Sequence, residues 1–311
     1  MLFPGQGSQF VGMGQKIMQY PQVRQLYDRA SEHLGYDLLD ICLNGPKETL
    51  DKTEYCQPAV FVTSLATIEV LKETNPKAFD HVIATAGFSL GEITACVFAG
   101  ILSFDDALKL ISVRASAMQE ASEEVNSGMI TLKLFYASRL PLAIDCAIEY
   151  CRFKLNMENP IVRIANYLSP EYQVVAGHDE ALEFIIENAE DFNLRSIRRL
   201  PVSGAFHTQL MNPAREEVRK VVRRLTLNPP KFPVHTNING KAPTKITTIE
   251  RNLSDQIVKP VSWIQTMMIL YRRHPGTPYP QTYECGPGKQ LGHLLYLTNR
   301  PARANYHKIE V

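Results

Sequence analysis

The chain has 311 residues, of which 45% are hydrophobic and 21% are charged. This composition is typical of a folded globular protein and excludes an intrinsically disordered chain. The 33 basic and 32 acidic side chains leave a formal net charge of +1, which excludes a uniformly cationic surface of the kind that grips nucleic acid. No apolar run reaches the roughly 20 residues that span a bilayer, and the length suggests about two domains or one domain with an insert.

The first third of the chain alternates helical and strand-like patterns. Apolar residues at helical spacing predict four helices, over 15–35, 58–74, 91–100 and 105–122. A buried strand is predicted over 81–86, and strands that alternate with helices imply a mostly parallel sheet covered on both faces. Only two apolar residues, Leu2 and Phe3, are available for a strand before the first turn, so we expect that a leader segment has been removed from the N-terminus.

The middle of the chain has a different order of elements, βαββαβ, which is the ferredoxin-like pattern. The strands are predicted over 129–134, 161–165, 173–176 and 194–200, and the helices over 139–151 and 179–190. The sequence therefore predicts an α/β fold in which a catalytic core formed by 1–126 and 201–311 carries an inserted subdomain at 127–200.

The strongest local signal for chemistry is the G-x-S-x-G sequence Gly87-Phe88-Ser89-Leu90-Gly91, directly after the predicted strand and before a helix. A sharp strand-to-helix turn of this kind exposes the serine hydroxyl, and the helix N-terminus offers free N–H groups to a developing oxyanion. The pattern favours a nucleophilic serine over a glycine-rich turn with an incidental serine.

A serine needs a general base, and His207 is the best candidate among the eight histidines. It lies in a loop directly after the predicted insert, and catalytic groups often lie on such loops. From its spacing alone, a hydrogen-bonded loop histidine with no catalytic role is the more common interpretation.

Two other glycine-rich segments and the cysteines argue against nucleotide and metal sites. Residues 3–9 lack the third glycine of a dinucleotide-binding motif, and residues 284–289 lack the features of a Walker A loop. The cysteines show no CxxC spacing, which predicts reduced, mostly buried thiols and no zinc or iron–sulfur centre. They are Cys42, Cys56, Cys96, Cys146, Cys151 and Cys285.

Five motifs in order make a specific resemblance. They are FPGQGSQ at 3–9, GFSLGE at 87–92, an arginine at 114, GAFH at 204–207 and YECGPGKQLG at 283–292. Together they resemble the malonyl-CoA:acyl carrier protein transacylase family, whose acyltransferase domain also occurs inside fatty-acid and polyketide synthases. The resemblance covers essentially the whole chain and implies a hydrolase-like α/β core with an inserted ferredoxin-like subdomain.

The resemblance also implies catalytic roles. Ser89 matches the nucleophile that becomes the malonyl ester, and His207 matches the general base. Gln6 and Leu90 match the two backbone N–H donors of the oxyanion hole. The implied mechanism is ping-pong, with coenzyme A leaving before the phosphopantetheine thiol of the carrier protein takes the malonyl group, and no metal or redox cofactor is expected.

For substrate binding, the resemblance assigns Arg114 to the free malonyl carboxylate. A guanidinium binds a carboxylate through two parallel hydrogen bonds, so an acetyl group would leave a buried charge unpaired. Arg114 lies among apolar neighbours in the sequence, which argues against a solvated surface arginine. The remaining residues that match the lining of the family's pocket are Gln57, Met118 and Phe206.

Three positions depart from the family pattern. Phe88 replaces a histidine that most members have, and Leu168 replaces the second asparagine of an Asn-x-Asn-Ser-Pro sequence. Ser262 stands where bacterial relatives often have glutamine. We expect this last change to be tolerated, because the family uses the backbone carbonyl at that position to orient the catalytic histidine.

The carrier protein is acidic in this family, so the resemblance implies a basic docking surface. Basic side chains near the end of the insert and on one following helix are the candidates, and a merely solvated basic face is an equally open interpretation. These candidates are Arg195, Arg198, Arg199, Arg215, Arg219, Lys220, Arg223 and Arg224.

Two other functions stay open at this point. A serine hydrolase of acyl-CoA would share the Ser89 turn but needs an acid between the serine and the histidine in chain order, and none is convincing. The second is a non-catalytic acyltransferase-like scaffold, in which Phe88 would be a sign that the catalytic site has degenerated. The free cysteines and the short N-terminus favour the mitochondrial matrix with a presequence removed, and bacterial cytoplasm is the alternative.

Overall fold

The computed structural model describes residues 1–311 and contains two separate β-sheets. The strands are β1 Leu2–Phe3, β2 Thr85–Gly87, β3 Ser127–Lys133, β4 Val162–Tyr167, β5 Tyr172–His178, β6 Arg195–Arg199, β7 Val234–His235, β8 Thr282–Glu284 and β9 Tyr306–Lys308. The helices are α1 Pro21–Leu34, α2 Leu38–Asn44, α3 Lys47–Asp51, α4 Thr53–Thr74, α5 Leu90–Phe98, α6 Phe104–Glu123, α7 Leu140–Phe153, α8 Asp179–Glu187, α9 Asn212–Val222, α10 Ile246–Asp255, α11 Trp263–Leu270, α12 Gln290–Thr298 and α13 Arg300–Arg303.

The first sheet is entirely parallel, in the order β7-β2-β1-β8-β9, so the predicted α/β class is confirmed. Its central strand β1 has only two residues, and Leu2 pairs with Ala86 on one side and with Glu284 on the other. The predicted strand 81–86 was too long, because β2 begins only at Thr85. Ile83 is 58% exposed, so this approach to β2 runs along the surface.

Helix α4 is the buried centre of the core, and its start was predicted wrongly. It begins at Thr53 instead of residue 58, so Pro58 lies inside the helix, where it removes one backbone hydrogen bond. Most side chains of α4 are buried because α1, α2, α5 and α6 surround it. No helix of the chain combines the length and apolar character that crossing a bilayer requires.

Helix α1, in contrast, begins later than predicted. The segment Gln15–Ile17 forms a short 3₁₀ turn, and the α-helix starts at Pro21, which is well suited to the first turn because it has no N–H to satisfy. The helix ends at Gly35 in the left-handed conformation (φ 77°), with the Gly35 N–H donating to the Ser31 carbonyl.

The second sheet is antiparallel, in the order β4-β5-β3-β6, and the chain order β3-α7-β4-β5-α8-β6 confirms the ferredoxin-like pattern. Helices α7 and α8 cover one face and enclose a separate apolar cluster that includes Ile130, Val175 and Leu182. We propose the domain division at 126/127 and 200/201, supported by all four strands lying between Ser127 and Arg199.

The insert is joined to the core at its edge strand β4. The Tyr167 N–H donates to the Val261 carbonyl (2.9 Å), and the Val261 N–H donates to the Ala165 carbonyl (2.8 Å). The face of the antiparallel sheet opposite α7 and α8 therefore turns toward the core, where it borders the candidate site.

Candidate active site

Ser89 lies on a tight turn between β2 and α5, in a backbone conformation (φ 50°, ψ −104°) that non-glycine residues rarely adopt. The flanking glycines are required for close approach. A Cβ on Gly87 would lie 1.9 Å from the Gly91 carbonyl, and a Cβ on Gly91 would lie 2.2 Å from the Phe3 carbonyl oxygen. The G-x-S-x-G pattern thus reflects the packing of the turn against β1.

The structure brings Ser89 and His207 together. Ser89 Oγ lies 3.0 Å from His207 Nε2, and His207 Nδ1 lies 2.8 Å from the Gln256 carbonyl and 3.2 Å from the Lys259 carbonyl. Because the carbonyls can only accept, Nδ1 carries the proton and Nε2 is left free to accept the serine proton. Burial lowers the pKa of His207 to about 4, and the nearby Arg114 charge acts in the same direction. His207 is therefore neutral near pH 7.

The expectation that the carbonyl of Ser262 orients this histidine is wrong. Ser262 precedes the first residue of α11, and its carbonyl accepts the first hydrogen bond of that helix, from the Thr266 N–H at 3.1 Å. The carbonyls of Gln256 and Lys259, just after α10, orient the ring instead.

Arg114 is 1% exposed and lies behind the serine. Its Nη2 donates to Ser89 Oγ (3.0 Å), its Nη1 donates to Gln57 Oε1 (2.6 Å), and its Nε has no partner in the chain. Burial lowers the pKa of Arg114 to about 10, and the negative charge of Glu92 opposes that shift, so the guanidinium stays charged at neutral pH. A buried cation with an unused donor is suited to receive an anion.

Gln57 links Arg114 to two other predicted site residues. Its Nε2 donates to Gln6 Oε1 (3.3 Å) and lies 3.7 Å from Met118 Sδ. Gln57, Gln6 and Met118 therefore form one cluster beside Arg114, although they come from three different segments of the chain.

The two backbone N–H groups predicted for an oxyanion hole are both unoccupied. Leu90 is the first residue of α5, so its N–H is one of the free donors at a helix start, and the Gln6 N–H also donates to no acceptor in the chain. The Gln6 loop packs so closely against the serine turn that a Cβ on Gly5 would lie 2.4 Å from the Phe88 carbonyl oxygen.

These groups lie around a cavity of about 780 Å³. The core supplies its reactive end, where Gln6, Gln57, Ser89, Met118, Phe206 and His207 line the wall. The insert supplies Met129, Thr131, Leu168 and Val174. Arg114 and Leu90 do not line it; Arg114 reaches Ser89 from behind the cavity wall.

The Phe88 departure has a packing explanation. Its ring lines the cavity and packs edge-on against Trp263, with 5.4 Å between the ring centroids. Trp263 is fully buried, so Phe88 gives this wall an apolar character instead of a titratable one.

Sequence reasoning missed Asn237 and assigned no role to Glu92. Asn237 Oδ1 accepts from the Ser89 N–H (2.8 Å), its Nδ2 donates to the Gly87 carbonyl (2.8 Å), and its backbone N–H donates to Glu92 Oε2 (2.7 Å). Glu92 is buried, which raises its pKa to about 7. Glu92 belongs to the quoted GFSLGE motif, whereas nothing in the sequence around Asn237 marks it.

The predicted docking residues fall into two groups. On β6, Arg199 is paired with Asp179 and Glu183, and the guanidinium of Arg195 lies over the ring of Phe135. On α9, the acids Glu216 and Glu217 pair with Arg215, Arg219 and Lys220.

The prediction that the second group lies on one helix is wrong in part, because α9 ends at Val222. The Arg223 N–H bonds the carbonyls of both Arg219 and Val221, and the Arg224 N–H bonds that of Val221. These bonds tighten the chain into a turn before the proline-rich loop at 228–230. Arg223 and Arg224 therefore follow the helix.

No group of three or more His, Cys, Asp or Glu side chains in the chain is arranged to hold a metal ion. All six cysteines are free, and five are buried. Burial raises the pKa of the Cys285 thiol to about 12, so it is protonated and unreactive at neutral pH.

Comparison with known proteins identifies the family of the chain. The acyl transferase domain family matches residues 1–276. The mitochondrial malonyl-CoA-acyl carrier protein transacylase of Mus musculus is 46% identical over 311 residues, which is 100% of this chain and 81% of that protein.

Solved structures of the same group superpose over the whole chain. The malonyl CoA-acyl carrier protein transacylase of Coxiella burnetii has a TM-score of 0.88 at 29% identity, covering 99% of this chain and 92% of that one. A malonyl-transacylase solved in complex with its type II PKS acyl-carrier protein has a TM-score of 0.86 at 32% identity, covering 100% and 94%. The chain is therefore an acyltransferase that belongs to the acyl transferase domain family and, within it, to the malonyl-CoA-acyl carrier protein transacylase group.

Proposed function

We propose that this protein transfers a malonyl group from malonyl-CoA to the phosphopantetheine thiol of an acyl carrier protein, through a malonyl ester on Ser89. One observation carries the proposal: Ser89 Oγ lies 3.0 Å from a neutral imidazole and 3.0 Å from a buried guanidinium. The first group can activate the serine, and the second can hold the substrate's carboxylate. The names of the relatives support the same substrates.

In the first half-reaction, His207 Nε2 takes the proton of Ser89 while Oγ attacks the thioester carbonyl. The N–H groups of Gln6 and Leu90 hold the oxyanion of the tetrahedral intermediate, a contribution worth about 10²–10³ in rate per donor in comparable sites. When the intermediate collapses, the C–S bond breaks and the coenzyme A thiolate takes the proton from His207. The positive charge on His207 is transient, because its lowered pKa favours return of the proton.

Arg114 selects the malonyl group. When malonyl-CoA binds, its carboxylate is a stronger acceptor than the neutral Ser89 hydroxyl, so Nη2 can turn to it beside the unused Nε. Two adjacent N–H donors match the two oxygens of a carboxylate. An acetyl group would leave this buried guanidinium without an anion, and the site discriminates against it on that ground.

In the second half-reaction the carrier thiol must outcompete water. The walls that surround the ester are mostly apolar and include Phe88, Met118, Met129 and Phe206. None of these four side chains offers a strong hydrogen bond that would position a water molecule for attack. His207 takes the thiol proton, the thiolate attacks the malonyl-serine ester, and the proton returns to Ser89 as the new thioester leaves.

The carrier protein is proposed to dock on the basic residues near β6 and α9. Arg198, Arg223 and Arg224 form no ion pair within the chain, so their charges are available to an acidic partner. The mouse relative is named mitochondrial, and we propose a mitochondrial location for this protein as well. The reaction as proposed uses only side chains and backbone N–H groups and needs no metal or redox cofactor.

The test is a transfer assay with malonyl-CoA and a carrier protein in two forms. With the phosphopantetheinylated form, malonyl-CoA loss should equal malonyl-carrier formation. The matched control is the unmodified carrier, which lacks the thiol and should accept nothing. Consumption of malonyl-CoA with release of free malonate in both samples would identify a hydrolase instead. No consumption in either sample would support a non-catalytic scaffold.

A further inference from the structure

Asn237 is 2% exposed, and each of its backbone and side-chain polar groups makes a hydrogen bond within the chain. Its side chain joins the Ser89 N–H to the Gly87 carbonyl, as described above, and Nδ2 also donates to Glu92 Oε2. Its backbone N–H donates to Glu92 Oε2, and its carbonyl accepts from the Ser262 N–H at 2.7 Å. The partners lie in two other segments, residues 87–92 and Ser262 before α11, so this buried residue fixes the two segments relative to each other.

The side chain of Asn237 makes hydrogen bonds to the serine turn that resemble those of a continued β7–β2 pairing. Strand β7 pairs with β2 only as far as His235, opposite Ala86, because the chain at Ser89 then turns out of the sheet. The amide of Asn237 supplies one acceptor and one donor to the turn, as the next residue pair of a parallel ladder would. It does so where the backbone of Ser89 is in a rarely populated conformation that needs support from outside the turn.

Asn237 also connects the two halves of the catalytic pair. Its carbonyl holds Ser262, which lies three residues after Lys259, one of the two residues whose carbonyls orient the His207 ring. Glu92 anchors Asn237 from α5 and uses one carboxylate oxygen for two of its N–H groups. The Leu90 N–H, which is the proposed oxyanion donor, lies between Ser89 and Glu92 on the same turn of chain.

We propose that Asn237, anchored by Glu92, is a positioning residue for acyl transfer: it holds the serine turn in the conformation that aims Ser89 Oγ at His207 and the Leu90 N–H at the oxyanion. The inference rests on the proposed function and extends it. Both half-reactions form a tetrahedral oxyanion at the same place, so the rates of both should fall when Asn237 is altered. Malonyl-CoA binding should change little, because Asn237 does not line the cavity.

The experiment compares six forms of the full chain with malonyl-CoA and carrier protein: wild type, Asn237→Ala, Asn237→Asp, Glu92→Gln, the double variant E92Q/N237D and the control Asn239→Ala. Asn237→Ala should lower kcat by about 10²-fold, the loss typical of a misplaced oxyanion donor, with KM within about twofold. Asn237→Asp keeps the acceptor for the Ser89 N–H but places a second carboxylate beside that of Glu92. Its kcat should be at least as low as that of Asn237→Ala. Glu92→Gln alone keeps an acceptor oxygen and should cost only a few-fold.

The kcat of the double variant distinguishes a positioning role of Asn237 from a purely structural role. The amide that E92Q introduces can donate to the carboxylate that N237D introduces, which restores the hydrogen bond between the two positions with reversed polarity. The kcat of the double variant should therefore rise about tenfold above that of Asn237→Asp. Asn239→Ala is the matched control, because Asn239 lies two residues away on the same turn and its side chain hydrogen-bonds only with Thr236 and Lys241. It should retain wild-type kcat and KM.

The proposal is overturned if Asn237→Ala keeps the wild-type kcat, or if the double variant is no faster than Asn237→Asp while both melt at the wild-type temperature. Should Asn237→Ala not fold, the Asn237→Asp and double-variant pair carries the test. Failure of that pair to fold would assign Asn237 to sheet stability alone and would also overturn the proposal. An inactive wild type would instead refute the proposed function.

Discussion

The parallel-sheet core and the antiparallel insert contribute unequally to the candidate site. The core supplies every group to which we assign a part in the reaction: the serine, the histidine, the guanidinium and the free N–H groups. The insert supplies Met129, Thr131, Leu168 and Val174, none of which can carry a charge. The core thus supplies the reactive groups, and the insert supplies part of the cavity wall. Substitutions in the core should therefore lower the reaction rate, whereas substitutions in the insert should mainly change KM.

The largest effect is expected in the core, at His207. His207→Ala removes the proton acceptor 3.0 Å from Ser89 Oγ, and the acylation rate should fall by about 10²–10⁴-fold. Stopped-flow measurement of coenzyme A release checks this. An acylation rate within tenfold of wild type would show that another group activates the serine.

Arg114 should control which acyl group is accepted. Arg114→Ala should lower kcat/KM for malonyl-CoA by about 10²-fold or more, while the value for acetyl-CoA stays level or rises, because the unpaired cation is gone. Arg114→Lys keeps the charge without the two parallel donors and should recover only part of the malonyl activity. Equal losses for both substrates would contradict the assignment and indicate a structural role.

The pH dependence of acylation should show the burial of His207. Only the neutral imidazole can accept the serine proton, and burial lowers its pKa to about 4. The rate should therefore not fall as pH drops through the ordinary histidine range near 6.5, and should decline about tenfold per pH unit only below about 4. Circular dichroism at each pH separates this decline from acid unfolding. An acid limb near 6.5 that persists in Glu92→Gln, which removes the carboxyl whose pKa is raised to about 7, would mean that His207 is solvated in the working enzyme.

The smallest effect is expected in the insert. Val174→Ala enlarges the cavity on the side of the insert and should change kcat for malonyl-CoA by less than about threefold. Its effect should appear in the KM of bulkier acyl groups such as methylmalonyl, since extra space in an apolar pocket is worth about 1–3 kcal/mol per methylene. A loss of kcat comparable to that of His207→Ala would break the separation between the two regions.

Much of this arrangement was predictable because it rests on local sequence patterns. The turn around Ser89 could be located from its glycines, and the insert from its βαββαβ order, which the structure confirms. The pairing of Ser89 with His207 and Arg114 required the family resemblance, since these residues come from distant segments. Their catalytic roles stay predictions until the kinetic tests are made.

The missed features have no side-chain signature in the sequence. The carbonyls of Gln256 and Lys259 orient His207, and any residue type offers a carbonyl. Asn237 acts through a fold-dependent position beyond the end of β7. Strand β1 has only two residues, too few for a periodic pattern, and it is specified by its neighbours in the sheet.

The most direct measurement of the central claim is intact mass spectrometry of the wild type and of Ser89→Ala after mixing with malonyl-CoA. The account predicts one malonyl group on the wild type, none on the variant, and loss of the adduct when phosphopantetheinylated carrier protein is added. An equal adduct on both forms would place the acyl group elsewhere, and its absence from the wild type with malonyl-CoA left intact would contradict acyl transfer through Ser89.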